Sequence, residues 1–403
     1  MIKNSLLLGF SSIFVSLINF CISSFFAQKL SPSEFGLIGL YASITSISVP
    51  VAGLCSFNLV GINAIKLNIT EYRKFLHTYL VTCFLFSILI LSAFVFVFLF
   101  NKKYLVIIIL AGVFSLLRLA IEPFISEMIA VGHVQKLVII SWTDAITSIL
   151  AAFVFVSILG SHWELRSIAA CIASIFIVVI MREKIGIVLH PLNQSIHRFS
   201  LNQIMKFAIP STFSIIPSWL LCNLDKIIVA KTLPLDALGK YTFAALLSTP
   251  IMTLNQSLTS TILPEIYIRL KAINKKTKVL KIFFAFSITI TLISFLLFLA
   301  FLKYQTLFFH KKYENINLLF ILYTCTYILN GIYRIPCLVC EYYEKISQKV
   351  IIFVISISLG FGSSFIICND KFFLPAWGVF FSFLTLTIMI TAYSFYLMSS
   401  NEK

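Results

Sequence analysis

Apolar runs separated by short polar or charged breaks divide the chain from end to end. They predict twelve spanning helices, near 5 to 28, 36 to 60, 76 to 100, 104 to 131, 137 to 160, 165 to 184, 205 to 231, 239 to 262, 280 to 302, 315 to 340, 346 to 368 and 373 to 398. A bilayer core takes roughly 20 consecutive apolar residues per helix, and each run meets that length. The first stretch, "MIKNSLLLGFSSIFVSLINFCISSFFAQKL", has the early Lys3 of a signal peptide. Its apolar part is too long and lacks a small-residue cleavage site, so it is expected to be a first, uncleaved span. The expected fold class is an all-α polytopic membrane protein, and an even count of spans puts both termini on one side.

The pattern also repeats. Laying Gly36 on Gly239 superimposes Ala27 on Ala230 and Leu30 on Leu233 at an offset of 203. Gln135-Lys136 falls on Gln348-Lys349 at an offset of 213, which implies about ten extra residues in the second half. The longest connection, "EKIGIVLHPLNQSIHRFSLN" at 183 to 202, separates six spans from six. The predicted organisation is an N-terminal six-helix lobe at 1–185, a cytoplasmic linker at 186–204 and a C-terminal six-helix lobe at 205–403. Because six is even, both lobes enter the membrane the same way, related by a parallel pseudo-two-fold axis along the membrane normal. Similar hairpins arising separately from shared physics remain the alternative.

Composition agrees: 60% of residues are hydrophobic and 11% charged, with a mean hydropathy of +1.01, whereas soluble domains carry about 25% charged residues. The charge that exists is lopsided, at net +16. With the N-terminus inside, 18 of the 31 Lys and Arg fall in cytoplasmic segments and 10, Arg166 among them, on the other side. Positive residues favour the cytoplasm, so both termini are expected there. Basic loops such as "RLKAINKKTKVLK" (269 to 281) suit the lipid bilayer's anionic inner leaflet, at about 1 kcal/mol per residue near the surface. No Gly-rich phosphate loop, nucleic-acid-reading motif or metal-ligand cluster accompanies them, so no nucleic acid, cofactor or metal is expected. The nine cysteines lie almost all within apolar runs, where a thiol packs as a small hydrophobe; Cys337 and Cys340 form a C-x-x-C without a second pair.

Three cations fall inside spans: Arg118, Lys226 and Arg334. An ionisable group at the bilayer centre costs at least about 2.5 to 3.5 kcal/mol, so it normally faces a bundle interior or a hydrated cavity. Arg118 lies roughly 21 Å into the fourth span, at 1.5 Å per residue, with Glu122 one turn along the same face. Arg334 occupies the tenth span, the fourth span's counterpart, and aligns with position 121 at the offset of 213. Matching helices thus each offer an arginine, which points to a basic cavity for an anionic substrate; a self-neutralised structural pair is the competing account of Arg118 and Glu122. Asp144, two turns into the fifth span, is expected either to neutralise Arg118 or to carry a coupling ion. Asp225 and Lys226 are adjacent, so they point about 100° apart on a helix, and Lys226 is near enough to the outer end to snorkel. Glu127, Glu341 and Glu344 lie near cytoplasmic ends, within reach of water. Pro210, Pro217 and Pro250 fall inside the seventh and eighth spans and are expected to bend them.

These residues resemble a known family. "LDKIIVAKTLPLDALGKYTFA" is similar to the seventh-to-eighth-helix signature of polysaccharide flippases, and "FFAQKLSPSEFGLIGLYASI" to the matching first-to-second-helix signature. Length, twelve spans and the six-plus-six repeat extend the resemblance over essentially the whole chain. The family is the O-antigen, or Wzx-type, flippase branch of the multidrug/oligosaccharidyl-lipid/polysaccharide exporter superfamily. The resemblance implies a non-enzymatic transporter in a bacterial inner membrane, moving undecaprenyl-diphosphate-linked oligosaccharide from the cytoplasmic to the periplasmic leaflet by alternating access through a basic inter-lobe cavity. Joined to the charges inside the spans, it makes Arg118, Arg334, Glu122 and Lys226 the candidates for substrate binding and Asp144 and Asp225 the candidates for ion coupling. It also implies a polysaccharide polymerase and a chain-length regulator as partners.

Multidrug exporters of the same superfamily often carry an acidic coupling residue in the first helix, and 5 to 28 has none. Lipid II flippases have two further helices beyond the twelve counted here. A membrane polymerase or acyltransferase would share this composition, but polymerases of that kind need a long periplasmic loop. The six histidines all fall in connections, and no catalytic constellation forms around them. A non-transporting assembly partner stays open.

Overall fold

The computed structural model describes residues 2–98, 102–189, 198–270, 275–303, 311–313, 316–343 and 345–400. Part of the predicted linker (190–197), the basic stretch 271–274 and Glu344 lie outside the described residues. Within them the chain is all-helical. In order come α1 Ile2–Lys29, α2 Pro32–Ala52, α3 Phe57–Lys66, α4 Ile69–Phe98, α5 Lys102–Leu119 and α6 Glu122–Val131. The next are α7 Val134–Leu159, α8 Trp163–Ile180, α9 Arg182–Leu189, α10 Arg198–Thr232, α11 Leu235–Leu270 and α12 Lys275–Lys303. After a single 3₁₀ turn, Lys311–Tyr313, come α13 Asn317–Ile332, α14 Arg334–Tyr342, α15 Ile346–Ile367 and α16 Leu374–Ser400. Eleven stretches among the described residues are long and apolar enough to cross a membrane. The remaining predicted span, 239 to 262, lies within the 36-residue α11. Large apolar side chains such as Ile158, Phe365 and Ile366 are exposed, as they must be where hydrocarbon is the solvent.

Three predicted spans are interrupted well inside their length, and the sixth, 165 to 184, breaks near its end at Met181. The second breaks between α2 and α3, where Leu54 and Cys55 adopt left-handed backbone at φ 51° and 52°, a conformation that side chains other than glycine rarely take. The fourth breaks at Ala120-Ile121 between α5 and α6, and the tenth at Tyr333 between α13 and α14. The last two share a cause. Pro123 and Pro336 lack the N–H that would bond the carbonyl four residues back, and their rings crowd it. Those prolines are 213 apart, as are positions 120 and 333, so the repeat includes the interruption itself. By contrast α10 runs unbroken through Pro210 and Pro217, and α11 through Pro250.

Freed backbone at the first break is met by neighbours. The Tyr79 hydroxyl donates to Gly53 O at 2.8 Å and Ser87 Oγ to Ala52 O at 3.1 Å. Beyond the breaks, α3 and α6 pack closely at Gly61, where an added Cβ would lie 2.9 Å from Ser126 O.

The helices gather into two compact units, residues 1–36 with 217–403, and residues 37–216. This grouping differs from the predicted division at 186–204, because α1 packs on α11 and the boundaries fall inside α2 and α10. The smaller unit's core centres on Leu59, Val60, Phe75, Tyr79, Ile121, Phe124 and Ile177. The larger has two clusters, one around Phe353, Phe383 and Leu386, the other around Ile266, Phe286 and Val339.

In the larger unit the two repeated turns meet each other. Ser31 and Glu34 form a capping box at the start of α2, with Ser31 Oγ donating to Glu34 Oε2 at 2.9 Å and accepting from Glu34 N at 3.3 Å. Ser33 Oγ then donates to Asp236 Oδ1 at 2.6 Å, 203 residues away. A Cβ on Gly36 would lie 2.8 Å from Gly239 N and 3.0 Å from Leu235 O, and one on Gly239 would overlap the Pro32 carbonyl. Only hydrogen fits between these backbones. Phe35, Phe243 and Tyr313 surround the crossing, with Phe243 stacked on Tyr313 at 4.2 Å. The Tyr313 hydroxyl donates to Ala27 O at 3.2 Å, and Lys312 Nζ to Gln28 O and Leu30 O, which satisfies carbonyls at the end of α1. Burial pushes the Tyr313 hydroxyl above the ordinary phenol range, so it stays a donor at physiological pH.

Candidate functional site

Arg118 sits in the last turn of α5, two residues before the break. Its Nη2 donates to Asp144 Oδ2 on α7 at 2.5 Å, and Nη1 lies 3.8 Å from Glu122 Oε1 at the start of α6. The Phe114 ring, one turn back on α5, lies 5.3 Å from the guanidinium carbon, a cation–π distance. The side chains of Arg118, Asp144 and Glu122 keep 20%, 21% and 29% exposure. The cluster is therefore lined by protein and partly exposed. Of the two roles left open for Asp144, neutralising Arg118 is the one the geometry displays.

A second arginine lies nearby. Arg166 is three residues into α8, and its Nη1 donates to Ser148 Oγ on α7 at 3.1 Å. Tyr41 on α2 completes this side of the unit: it is 7% exposed, and its hydroxyl has no hydrogen-bond partner.

In the larger unit Arg334 opens α14, immediately after Tyr333, and its Nε donates to Asn330 Oδ1 at 3.4 Å. Asn330 is buried one turn back on α13. Next to it a Cβ on Gly331 would collide with the Asn255 amide, whose Nδ2 donates to Tyr327 O at 2.6 Å. Polar groups on α13 thus continue from the Arg334 break back into the bundle.

Asp225 lies at the far end of that polar series. It is fully buried, its Oδ2 accepts from the Tyr323 hydroxyl, and its Oδ1 has no hydrogen-bond partner. Lys226 beside it is half-buried. Tyr241 packs edge-on to Tyr323 at 6.2 Å, and its hydroxyl donates to Phe372 O. A buried carboxyl with one free oxygen has two stable forms, protonated or bound to a cation.

Elsewhere the predicted acidic residues are structural or solvated. Glu127 accepts from the Tyr72 hydroxyl at 3.1 Å, and exposed Glu341 pairs with Lys349 Nζ at 2.7 Å. Among the described residues no cluster of His, Cys, Asp and Glu could hold a metal ion. An apolar cavity of about 150 Å³ lies beside α1, α11 and α12, lined by Leu17, Phe20, Pro250 and Leu297 among others. Its lining carries no ionisable group.

Arg118, Glu122, Asp144 and Arg334 were legible as charges inside apolar runs. Arg166, Tyr41, Tyr323 and Asn330 were missed. The tyrosines carry no local signal because their neighbours come from other helices, whereas Asn330 lies four residues before Arg334, a helical spacing that could have found it.

No sequence family matches the chain, and neither does any curated protein. Solved structures do. The fold is similar to the inward-facing conformation of a multidrug resistance MATE family transporter of the MOP superfamily, with a TM-score of 0.67 at 14% identity over 96% of this chain and 95% of that one. It is also similar to the bent form of a Vibrio cholerae MATE transporter (TM-score 0.61, 14% identity, 100% and 97% covered). A eukaryotic MATE transporter gives 0.60 at 12% identity, with 100% and 97% covered. The chain has the fold of these MATE transporters.

Proposed function

We propose that this protein is a flippase that carries an undecaprenyl-diphosphate-linked oligosaccharide from the cytoplasmic to the periplasmic leaflet of a bacterial inner membrane. One observation carries the reading: Arg118 and Arg334 flank proline-made breaks at equivalent positions of the repeat. Irregular backbone at membrane depth is tolerated where protein or cavity water satisfies it, and an arginine there gives a planar fork suited to phosphate oxygens. A diphosphate-linked sugar is a cargo that needs both. In this reading Glu122 and Lys226 adjust the field that the cargo meets. Asp225 binds the coupling cation or proton, with Asp144 as the second coupling candidate. The two repeats exchange access to the two leaflets, and a polymerase with its chain-length regulator receives the product.

The experiment is leaflet assignment of radiolabelled lipid-linked oligosaccharide in a deletion strain that has no redundant flippase. Glycan is expected to accumulate on the cytoplasmic side and to return to the periplasmic side on complementation. Undiminished periplasmic glycan in the deletion strain would overturn the reading.

Multidrug export is the second reading, favoured by the multidrug resistance transporter among the structural neighbours. Against it, α1 carries no Asp or Glu. Drug susceptibility of the same deletion strain separates the two: resistance restored by the gene, with glycan unaffected, selects the exporter.

A further inference from the structure

Asp144 lies within electrostatic reach of two guanidiniums. Arg118 bonds it directly at 2.5 Å. Arg166 is anchored to Ser148, four residues further along α7 and therefore on the same helical face. Asp144 and the Tyr41 hydroxyl are both close enough to act electrostatically on Arg166. Tyr41 brings a buried hydroxyl with no hydrogen-bond partner in standard geometry among the described residues, beside the Cys171 thiol. Two cations and a buried phenol therefore gather near Asp144, which is one-fifth exposed, with Glu122 as a second carboxylate 3.8 Å from Arg118.

A purely structural bridge would be expected to close over its charges and satisfy its neighbours, since buried polar groups in folded proteins are nearly always paired. This cluster does neither. It has the form of an anion site already filled by an anion of the protein's own. We propose that Arg118, Arg166 and Tyr41 form a site for a phosphate-type anion, and that Asp144 is its resident occupant, displaced when the phosphate arrives. The proposal rests on the anionic-substrate reading above and gives it a release mechanism. A diphosphate offers more charge and more acceptor oxygens than a carboxylate, so it can engage both forks and the phenol together. Asp144 competes throughout, which keeps the bound state weak enough to let go, as any transported ligand requires.

The test uses the full-length protein in phosphatidylcholine nanodiscs, titrated calorimetrically with inorganic pyrophosphate. Asp144→Asn keeps the side chain's shape and removes the competitor, so affinity should rise about tenfold or more. Arg166→Gln should weaken binding about tenfold, and the double variant should lose the gain. Unchanged or weaker binding by a folded Asp144→Asn protein overturns the proposal, because a structural bridge would lose thermal stability without gaining affinity. If Arg166→Gln does not fold, Arg166→Lys keeps the charge without the fork; it should bind several-fold more weakly, and unchanged affinity counts against the site. Repeating the titration in phosphatidylglycerol nanodiscs identifies the natural source: competition by the lipid assigns the site to a bilayer headgroup phosphate, and no competition to a diphosphate cargo. Glycan export is scored separately. Pyrophosphate behaviour as expected without export sinks the flippase reading alone, and export with unaltered affinities sinks the site alone.

Discussion

Arg118 has three neighbours that explain its tolerance in an apolar bundle, whereas Arg334 has one polar side chain, Asn330, in hydrogen-bond range. Removing either should leave a folded protein with poor export. A charge-assisted hydrogen bond is worth about 1.5 to 3 kcal/mol, so Arg118→Ala and Arg334→Ala should each cut glycan export roughly ten- to a hundredfold at normal membrane abundance. Wild-type export from the double variant would remove both from substrate binding. Asp225 predicts a different phenotype. Asparagine there can still accept the Tyr323 hydroxyl but cannot hold a cation or release a proton. Asp225→Asn should therefore keep its abundance and lose the dependence of transport on an imposed ion gradient, measured in proteoliposomes. These positions were legible because charge is rare in such a chain. Their partners were less so: Tyr323 reads as ordinary packing until α10 and α13 are set side by side, whereas Asn330 lies one turn before Arg334 and was within reach of a spacing argument.

At the scale of the helix, pattern and structure part company over continuity. Apolar runs gave the spans and their order, but hydropathy does not register a broken hydrogen bond inside a run. Proline was the available signal, and it spoke unevenly. Pro123 and Pro336 mark breaks, whereas Pro210, Pro217 and Pro250 lie in continuous helix. The difference lies in tertiary surroundings that a local pattern cannot show. The break at Leu54-Cys55 was the least legible, since non-glycine residues with positive φ look like any others in sequence. Pro336→Ala restores an N–H and should join α13 to α14. Higher thermal stability with several-fold lower export is expected, measured by melting in detergent alongside the leaflet assay. Equal export would mean that the break serves assembly alone.

Across the whole molecule, the repeat read from a handful of identities acquires physical content at the crossing of the two turns. Gly239→Ala would push a methyl into the Pro32 carbonyl, whereas Gly36→Ala meets its nearest atoms at 2.8 and 3.0 Å. The first should abolish accumulation of folded protein and the second should only lower it, checked by fluorescence-detected size exclusion. If the turns part during each transport cycle, an oxidised Ser33→Cys/Asp236→Cys pair should stall export reversibly, with activity returning on reduction. Full activity of the cross-linked protein would mean that the crossing never opens. The compact units themselves were not legible, because α1 packs on α11 through side chains that carry no mark of their partner.

Ser33 and Asp236 hold the same place in the two copies and bond to each other. Two identical six-helix chains paired about an axis would have to set serine against serine there, or aspartate against aspartate, and the second choice would repel. One continuous chain is free of that rule. It can place a donor on one side and an acceptor on the other, and so turn a point where symmetry permits only like with like into a directed bond.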